Sequence, residues 1–273
     1  MKKYSWRTAI LEAAMIVVAL IFAFPFYVLI NIAIRGDGDT TPPILPTTQP
    51  TFQNFTDAWG QAGLDRAMLN SAIVTVVSVV IIVVFSSMAA YALERATSRL
   101  STVAFWLIMG GLLVPFQTVL IPLYQSIRDL GLLGTLWSLI IFYVGFQMPF
   151  SIFLYTGFLR ALPKEYEEAA WIDGANSFQT FWRVIFPLLR PITGTVIILN
   201  GIHVWNDFLT PLLYLSGSAN KTIPVAIFGF IDQYISDWPL VFAGLIIGVL
   251  PILIVFFALQ RSVIKGFASG LKG

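Results

Sequence analysis

His203 is the single histidine of this chain, and it stands three residues after Asn200 and four before Asp207. On a helix, positions i, i+3 and i+7 share one stripe. An imidazole, a carboxylate and a carboxamide on one stripe of an apolar segment support three kinds of chemistry. They can hydrogen-bond the groups of a polar solute in a pathway, relay a proton, or join neighbouring helices. A second polar pair, Gln117 and Thr118, lies between Pro115 and Pro122. Prolines there free backbone groups, so this pair reads either as a cavity-lining break or as a plain kink. A third group is acidic: Glu165, Glu167, Glu168 and Asp173, with Ala169 and Ala170 among them and Gly174 at the end.

Other chemistry is missing. One histidine cannot build a site that needs two, and without cysteine there is no thiol nucleophile or disulfide. Neither H-E-x-x-H nor G-x-S-x-G occurs, which leaves an intramembrane enzyme little to work with. No G-x-x-x-x-G-K-[ST] is present to cradle nucleotide phosphates. No catalytic residue and no metal ligand is therefore assigned.

The elements that must position these groups are apolar. Of 273 residues, 58% are hydrophobic and 11% charged, against about 25% charged in a soluble domain. The net charge of +2 comes with no basic patch, which argues against a nucleic-acid partner. Six stretches approach the ~20 residues a bilayer crossing needs: about 10–34, 69–93, 102–124, 134–159, 190–214 and 237–260. The first is too long for the h-region of a signal peptide and is read as a retained span. With the N-terminus inside, the inner segments carry 12 of the 16 Lys and Arg residues and the outer segments carry Arg35, Arg66, Arg128 and Lys221. That bias predicts cytoplasmic termini and a cytoplasmic insert over about 160–190. The first outer loop, 35–68, carries four prolines and then Phe52, Phe55 and Trp59, which predicts an extended segment followed by a short helix. No internal repeat is visible.

The insert predicts two short helices joined by an elbow. Pro163 suits a first helical turn, and the glutamates that follow favour the positive end of the helix dipole. Tyr166, Ala169, Ala170 and Asp173 fall on one face, kept small by the alanines. Gly174 suits a left-handed stop. Ser177 is a candidate cap for the second helix, which carries Phe178, Phe181, Trp182 and Ile185. Pro187 limits its continuation. This knob reads either as a docking element or as an amphipathic anchor between two spans.

The knob closely resembles the EAA loop of ABC importer permeases, E-A-A, three residues, G, nine residues, I-x-L-P. Glu168, Ala169, Ala170, Gly174 and Pro187 match, while Val184 and Phe186 stand at the isoleucine and leucine positions. Asn70-Ser71, Ala89 to Leu93, Val114-Pro115 to Pro122-Leu123, Gly131 to Leu133, Trp205 to Phe208, Gln260-Arg261 and the ending Gly270 to Gly273 resemble the carbohydrate branch of that family, of maltose and multiple-sugar type.

The resemblance implies an all-α, six-span, type I importer permease fold in a bacterial or archaeal cytoplasmic membrane. Residues 1–66 would be the first span and outer loop, 67–261 the permease core, and 262–273 a cytoplasmic tail. The loop would be the coupling helix, with Glu168, Ala169, Ala170, Asp173, Gly174 and Pro187 as its working residues. Implied partners are a second, homologous permease, two ABC ATPase subunits that hold the ATP and magnesium, an extracytoplasmic sugar-binding protein, and lipid. Gln117, Asn200, His203 and Asp207 are candidates for the substrate path, although in the maltose-type systems the partner permease supplies most substrate contacts. Alternative readings are import of another polar solute, such as a phosphorylated polyol, and a self-contained ion-coupled transporter using His203 and Asp207.

Overall fold

A computed structural model describes residues 6–231 and 237–270, with side chains described except those of Arg7 and 259–270. Lys2, Lys3 and the last residues of the expected tail, 271–273, lie outside that set. Among the described residues the regular elements are all helical, apart from one isolated bridge between Arg35 and Pro50.

Among the described residues four helices are long and apolar enough to cross a membrane, and up to six crossings result if two sharply bent pairs count as one each. The four are α1 (Trp6–Ala33), α3 (Leu64–Arg95), α6 (Leu136–Arg160) and α13 (Trp238–Gly270). Between them run α2 (Gln53–Gln61), the pair α4 (Arg99–Gly111) and α5 (Phe116–Asp129), and the short α7 (Glu165–Ile172). Then come α8 (Ser177–Thr180), a wide π turn (Phe181–Ile185), α9 (Phe186–Leu188), α10 (Arg190–Asn206), α11 (Leu209–Tyr214) and α12 (Ile223–Phe228).

The expected third span, 102–124, is not one helix. α4 and α5 meet at 100°. Gly110 and Gly111 weaken the end of α4. Pro115, which has no amide and biases the residue before it away from helix, then opens α5. The expected fifth span also ends early. α10 stops at Asn206, and Asp207 is extended. The Asp207 carboxylate accepts the amide of Leu209 at 3.1 Å and so starts α11 instead. A short acidic side chain that can bond nearby amides competes with the helix here.

The chain divides into two compact units, the residues up to Asp65 with Ala226–Leu250, and Arg66–Val225 with the residues from Pro251 onward. In the second unit the core is built from helical stripes. Val79, Ile82, Val83 and Ala90 on α3 meet Ile152, Tyr155 and Leu159 on α6 and Val196 on α10.

In the first unit the proline-rich loop is folded back on the end of α1. Prolines donate no backbone hydrogen bond, so side chains satisfy the carbonyls around them. The Asn31 amide donates to Pro43 O at 2.9 Å and Leu45 O at 2.7 Å, and its oxygen accepts from Thr47 N. Arg35 donates to Thr41 O at 2.6 Å. Asn54 on α2 donates to Ala33 O and Arg35 O. Asp39 closes the loop by accepting from the Thr41 and Thr47 hydroxyls and from the Thr41 and Thr48 amides. The expected order of extended segment and short helix is thus present.

The Thr41 hydroxyl above all, then that of Thr47, holds the Asp39 carboxyl well below the usual carboxylate range. A depressed folded pKa contributes order that is present above the unfolded value and lost as pH falls through the folded one. The loop is therefore expected to stay closed at pH 4. Asp39→Ala is expected to speed exchange of the Thr41 and Thr48 amides on the order of tenfold, and hydrogen exchange at pH 4 and pH 7 is the check.

Candidate functional site

The knob begins where Leu162 and Pro163 end the α6 segment and α7 starts at Glu165. Glu165, Glu167 and Glu168 occupy its first turn, where carboxylates offset the unpaired amides. Its end is a Schellman motif: Ala175 N donates to Ala170 O at 2.9 Å and Gly174 N to Trp171 O at 3.0 Å. Gly174 sits at φ +82°, the left-handed region where a side chain is strained.

The second helix is capped one residue earlier than expected. Asn176 Oδ1 accepts from Gln179 N at 2.9 Å, and Gln179 Oε1 accepts from Asn176 N at 3.1 Å. This capping box leaves Ser177 inside the helix. Pro187 has no amide to offer the Arg183 carbonyl, and just before it the ladder widens into a π turn in which Phe186 N reaches Phe181 O. The chain runs past Pro187 and bends by 76° into α10.

The expected face of α7 is split. Ala170 turns inward beside Glu167, whereas Tyr166, Glu168, Ala169 and Asp173 are exposed. The outward surface also carries bare apolar groups: Ile172 is 86% exposed, Phe178 66%, and Trp171 51%. Pro187 is half-buried and contributes to the bend rather than to the outer surface.

Glu167 is 3% exposed. Its carboxylate lies 2.6 Å from Arg95 Nε and accepts from the Tyr91 hydroxyl at 3.2 Å. Arg95 also donates to Leu162 O at 3.2 Å. Removing one member of such a buried pair strands the other charge, at a cost of about 3–5 kcal/mol. A second pair, Arg160 with Glu94 at 3.1 Å, has its guanidinium side exposed and contributes less. The sequence marks Glu167 only as one of the first-turn glutamates, not as the buried one. The available signal was Tyr91 and Arg95 four residues apart at the end of an apolar helix, with several glutamates to choose from in the insert.

The intramembrane stripe is also divided. Asn200 is 1% exposed and donates to Ser151 Oγ at 3.1 Å and Val196 O at 2.8 Å, so it joins α10 to α6 in the core. Asp207 accepts from the Tyr143 hydroxyl at 2.9 Å and caps α11. Asn200 is closed off from any open surface, while Asp207 stays partly exposed. His203 is exposed. Its ring lies 6.2 Å from that of Phe146, nearly parallel, and edge-on to Tyr143 at 6.4 Å. Gln117 is exposed at the start of α5, next to Phe116, whose ring is 5.4 Å from Phe146. His203 and Gln117 therefore flank one aromatic cluster that composition alone could not pick out from 23 phenylalanines.

Residues 82–268 match the family model described as binding-protein-dependent transport system inner membrane component. The melibiose/raffinose/stachyose import permease protein MelC of Bacillus subtilis (strain 168) is 35% identical over 271 residues, covering 98% of each chain. A probable starch degradation products transport system permease protein, AmyC of Thermoanaerobacterium thermosulfurigenes, is 35% identical over 99% of this chain and 98% of its own length. A bacterial ABC transporter involved in import of the acidic polysaccharide alginate shares the fold, with a TM-score of 0.80 at 24% identity over 96% of this chain and 99% of that one.

The chain belongs to the binding-protein-dependent transport system inner membrane components. It is a multi-pass subunit of the cytoplasmic membrane and a transport component rather than an enzyme, working with an ATPase and a substrate-binding protein.

The elbow generates a prediction. A Cβ at Gly174 would meet nothing within 4 Å, so Gly174→Ala suffers conformational strain alone, about 1–2 kcal/mol. Asparagine tolerates the left-handed region better than alanine does. Thermal midpoints of the detergent-solubilised complex are expected to fall in the order Gly, Asn, Ala; equal midpoints would remove the left-handed elbow.

Proposed function

We propose that this chain is the permease subunit of an ATP-driven importer of oligosaccharides, with the 165–188 knob as its contact to the ATPase. The observation that carries the reading is the knob's construction. It is anchored through a buried carboxylate and capped on both sides of its elbow, yet it presents Tyr166, Ala169, Trp171, Ile172 and Phe178 to solvent. A small exposed apolar surface on a rigid base fits a protein partner.

The lysine and arginine count supports a cytoplasmic knob and cytoplasmic termini. The chain lacks a P-loop, so ATP and magnesium belong to the two ATPase subunits. Ala169 would permit close approach, Glu168 and Asp173 would make polar contacts at the rim, and Gly174 would hold the elbow. Ala170 and Pro187 would serve the knob's internal packing and bend. Closure of the ATPase pair would then rock this chain against a second permease, alternating access for a sugar brought by the binding protein. The sugar assignment rests on the substrates named for the relatives, melibiose, raffinose, stachyose and starch degradation products.

An ionisable side chain on a spanning helix faces protein or water rather than lipid. His203, exposed on this chain, would thus face the partner permease or the pathway, with Gln117 on the same aromatic cluster.

Reconstitution with the cognate ATPase and binding protein tests the reading. Binding protein loaded with melibiose, raffinose or maltotriose is expected to stimulate ATP hydrolysis and uptake. Uptake by this chain alone, driven by a proton or sodium gradient, would overturn the reading. Stimulation by a phosphorylated polyol and by none of the sugars would overturn the oligosaccharide assignment.

In the same system Ala169→Arg is expected to cut uptake by about tenfold or more while the protein remains in the membrane. His203→Leu is expected to raise KM for uptake several-fold at unchanged protein level. Unchanged kinetics would take His203 out of the pathway.

A further inference from the structure

The run Ala89 to Leu93 contains Tyr91 and leads into Arg95, the two side chains that hold the knob. Tyr91 and Arg95 are four apart on α3 and share one face, a single turn from each other. Both converge on the Glu167 carboxylate, 76 and 72 residues further along the chain. The guanidinium is used twice, through Nε to Glu167 and through Nη2 to Leu162 O, so one side chain clamps both α7 and the end of the α6 segment. The Tyr91 ring also lies 5.4 Å from Phe181, the first residue of the π turn. Two separate points of the knob, α7 and the π turn, are thus attached to one turn of α3.

A knob connected only by its covalent ends could tilt about Leu162 and about the bend at Leu189. Phe181 and Ile185, buried in the core, hold its second half, and the Glu167 tie holds α7. We propose that the Tyr91–Arg95 turn of α3 is a transmission anchor: when the knob is displaced, Glu167 passes the displacement directly to α3, in parallel with the covalent route into α10. Glu167, Tyr91 and Arg95 are positioning residues in this scheme. They set how completely knob motion becomes motion of a spanning helix, and they touch neither nucleotide nor substrate. The proposal rests on the importer reading above.

The test uses the whole complex in proteoliposomes, with ATP hydrolysis and uptake of melibiose, raffinose or maltotriose measured separately and expressed as sugar moved per ATP. Glu167→Gln keeps the side chain's shape but loses the charge-assisted bonds, which are roughly twice as strong as neutral ones. It is expected to lower sugar moved per ATP by about tenfold while ATP hydrolysis stays within about twofold and the ATPase still co-purifies. Tyr91→Phe removes one hydroxyl, leaves the ring on Phe181, and is expected to lower the same ratio by about two- to threefold. It keeps the test decisive if the Gln variant is poorly produced. Arg95→Glu combined with Glu167→Arg is expected to recover most of the ratio lost in Arg95→Glu alone.

An unchanged ratio in both Glu167→Gln and Tyr91→Phe would overturn the anchor. So would loss of the ATPase from the Glu167→Gln complex, which would make Glu167 a docking residue. If the native complex shows no ATP-dependent uptake at all, the importer reading fails instead.

Discussion

The cost of burying a carboxylate organises the knob of this molecule. Glu167 is out of solvent, and the desolvation of such a group is offset only by good geometry and full hydrogen bonding. Arg95, at 2.6 Å, and the Tyr91 hydroxyl meet that demand. Once they do, the rotation of α7 about its axis is no longer free. Ala170, one turn on from Glu167, must face inward as well. Tyr166, Ala169, Ile172 and Asp173 are then turned outward, together with an apolar surface that an unattached amphipathic helix would bury. The exposure of the knob's apolar groups is therefore a consequence of where its one inward carboxylate is held.

A second constraint is the supply of partners for the backbone wherever a helix breaks. Prolines and glycines interrupt this chain often, and each interruption strands amides or carbonyls. The molecule answers with short polar side chains at the breaks. Asp207 takes up the amide that starts α11, Asn176 and Gln179 exchange bonds at the start of α8, and Asn31 and Asn54 satisfy four carbonyls around the proline-rich loop. Two residues expected on the substrate path have such a task as well. Asn200 and Asp207 each join helices, through Ser151 and Tyr143.

What could be read from the residues in advance follows from how local each signal is. The left-handed elbow at Gly174 and the apolar spans at α1, α3, α6 and α13 depend on a few neighbours or on composition over some twenty residues, and they stand as read. The cap moved from Ser177 to Asn176 because both residues are good caps, and only the fit of Gln179 decides between them. The 100° break between α4 and α5 was legible as a proline site, but its size depends on what packs beside it. The Glu167–Arg95 pair joins positions 72 apart, and no periodicity within one segment could connect them.

The two candidate sites sit at opposite ends of α10. Arg190 leaves the bend below the knob, and His203 lies thirteen residues on, about 20 Å along a helix that rises 1.5 Å per residue. Nothing in the knob's surface refers to the chemistry around His203 and Gln117, and the aromatic cluster there makes no demand on α7. The side chains beside His203 can thus change without disturbing the knob's surface, and relatives of about equal similarity carry different named substrates. What the two ends must share is stiffness. α10 supplies it along its own axis, where Asn200 binds it to α6 at mid-length. A helix pushed at one end transmits displacement well along its axis and poorly across it, so lateral motion of the knob needs a second attachment. The guanidinium at the end of α3 is placed to be that attachment.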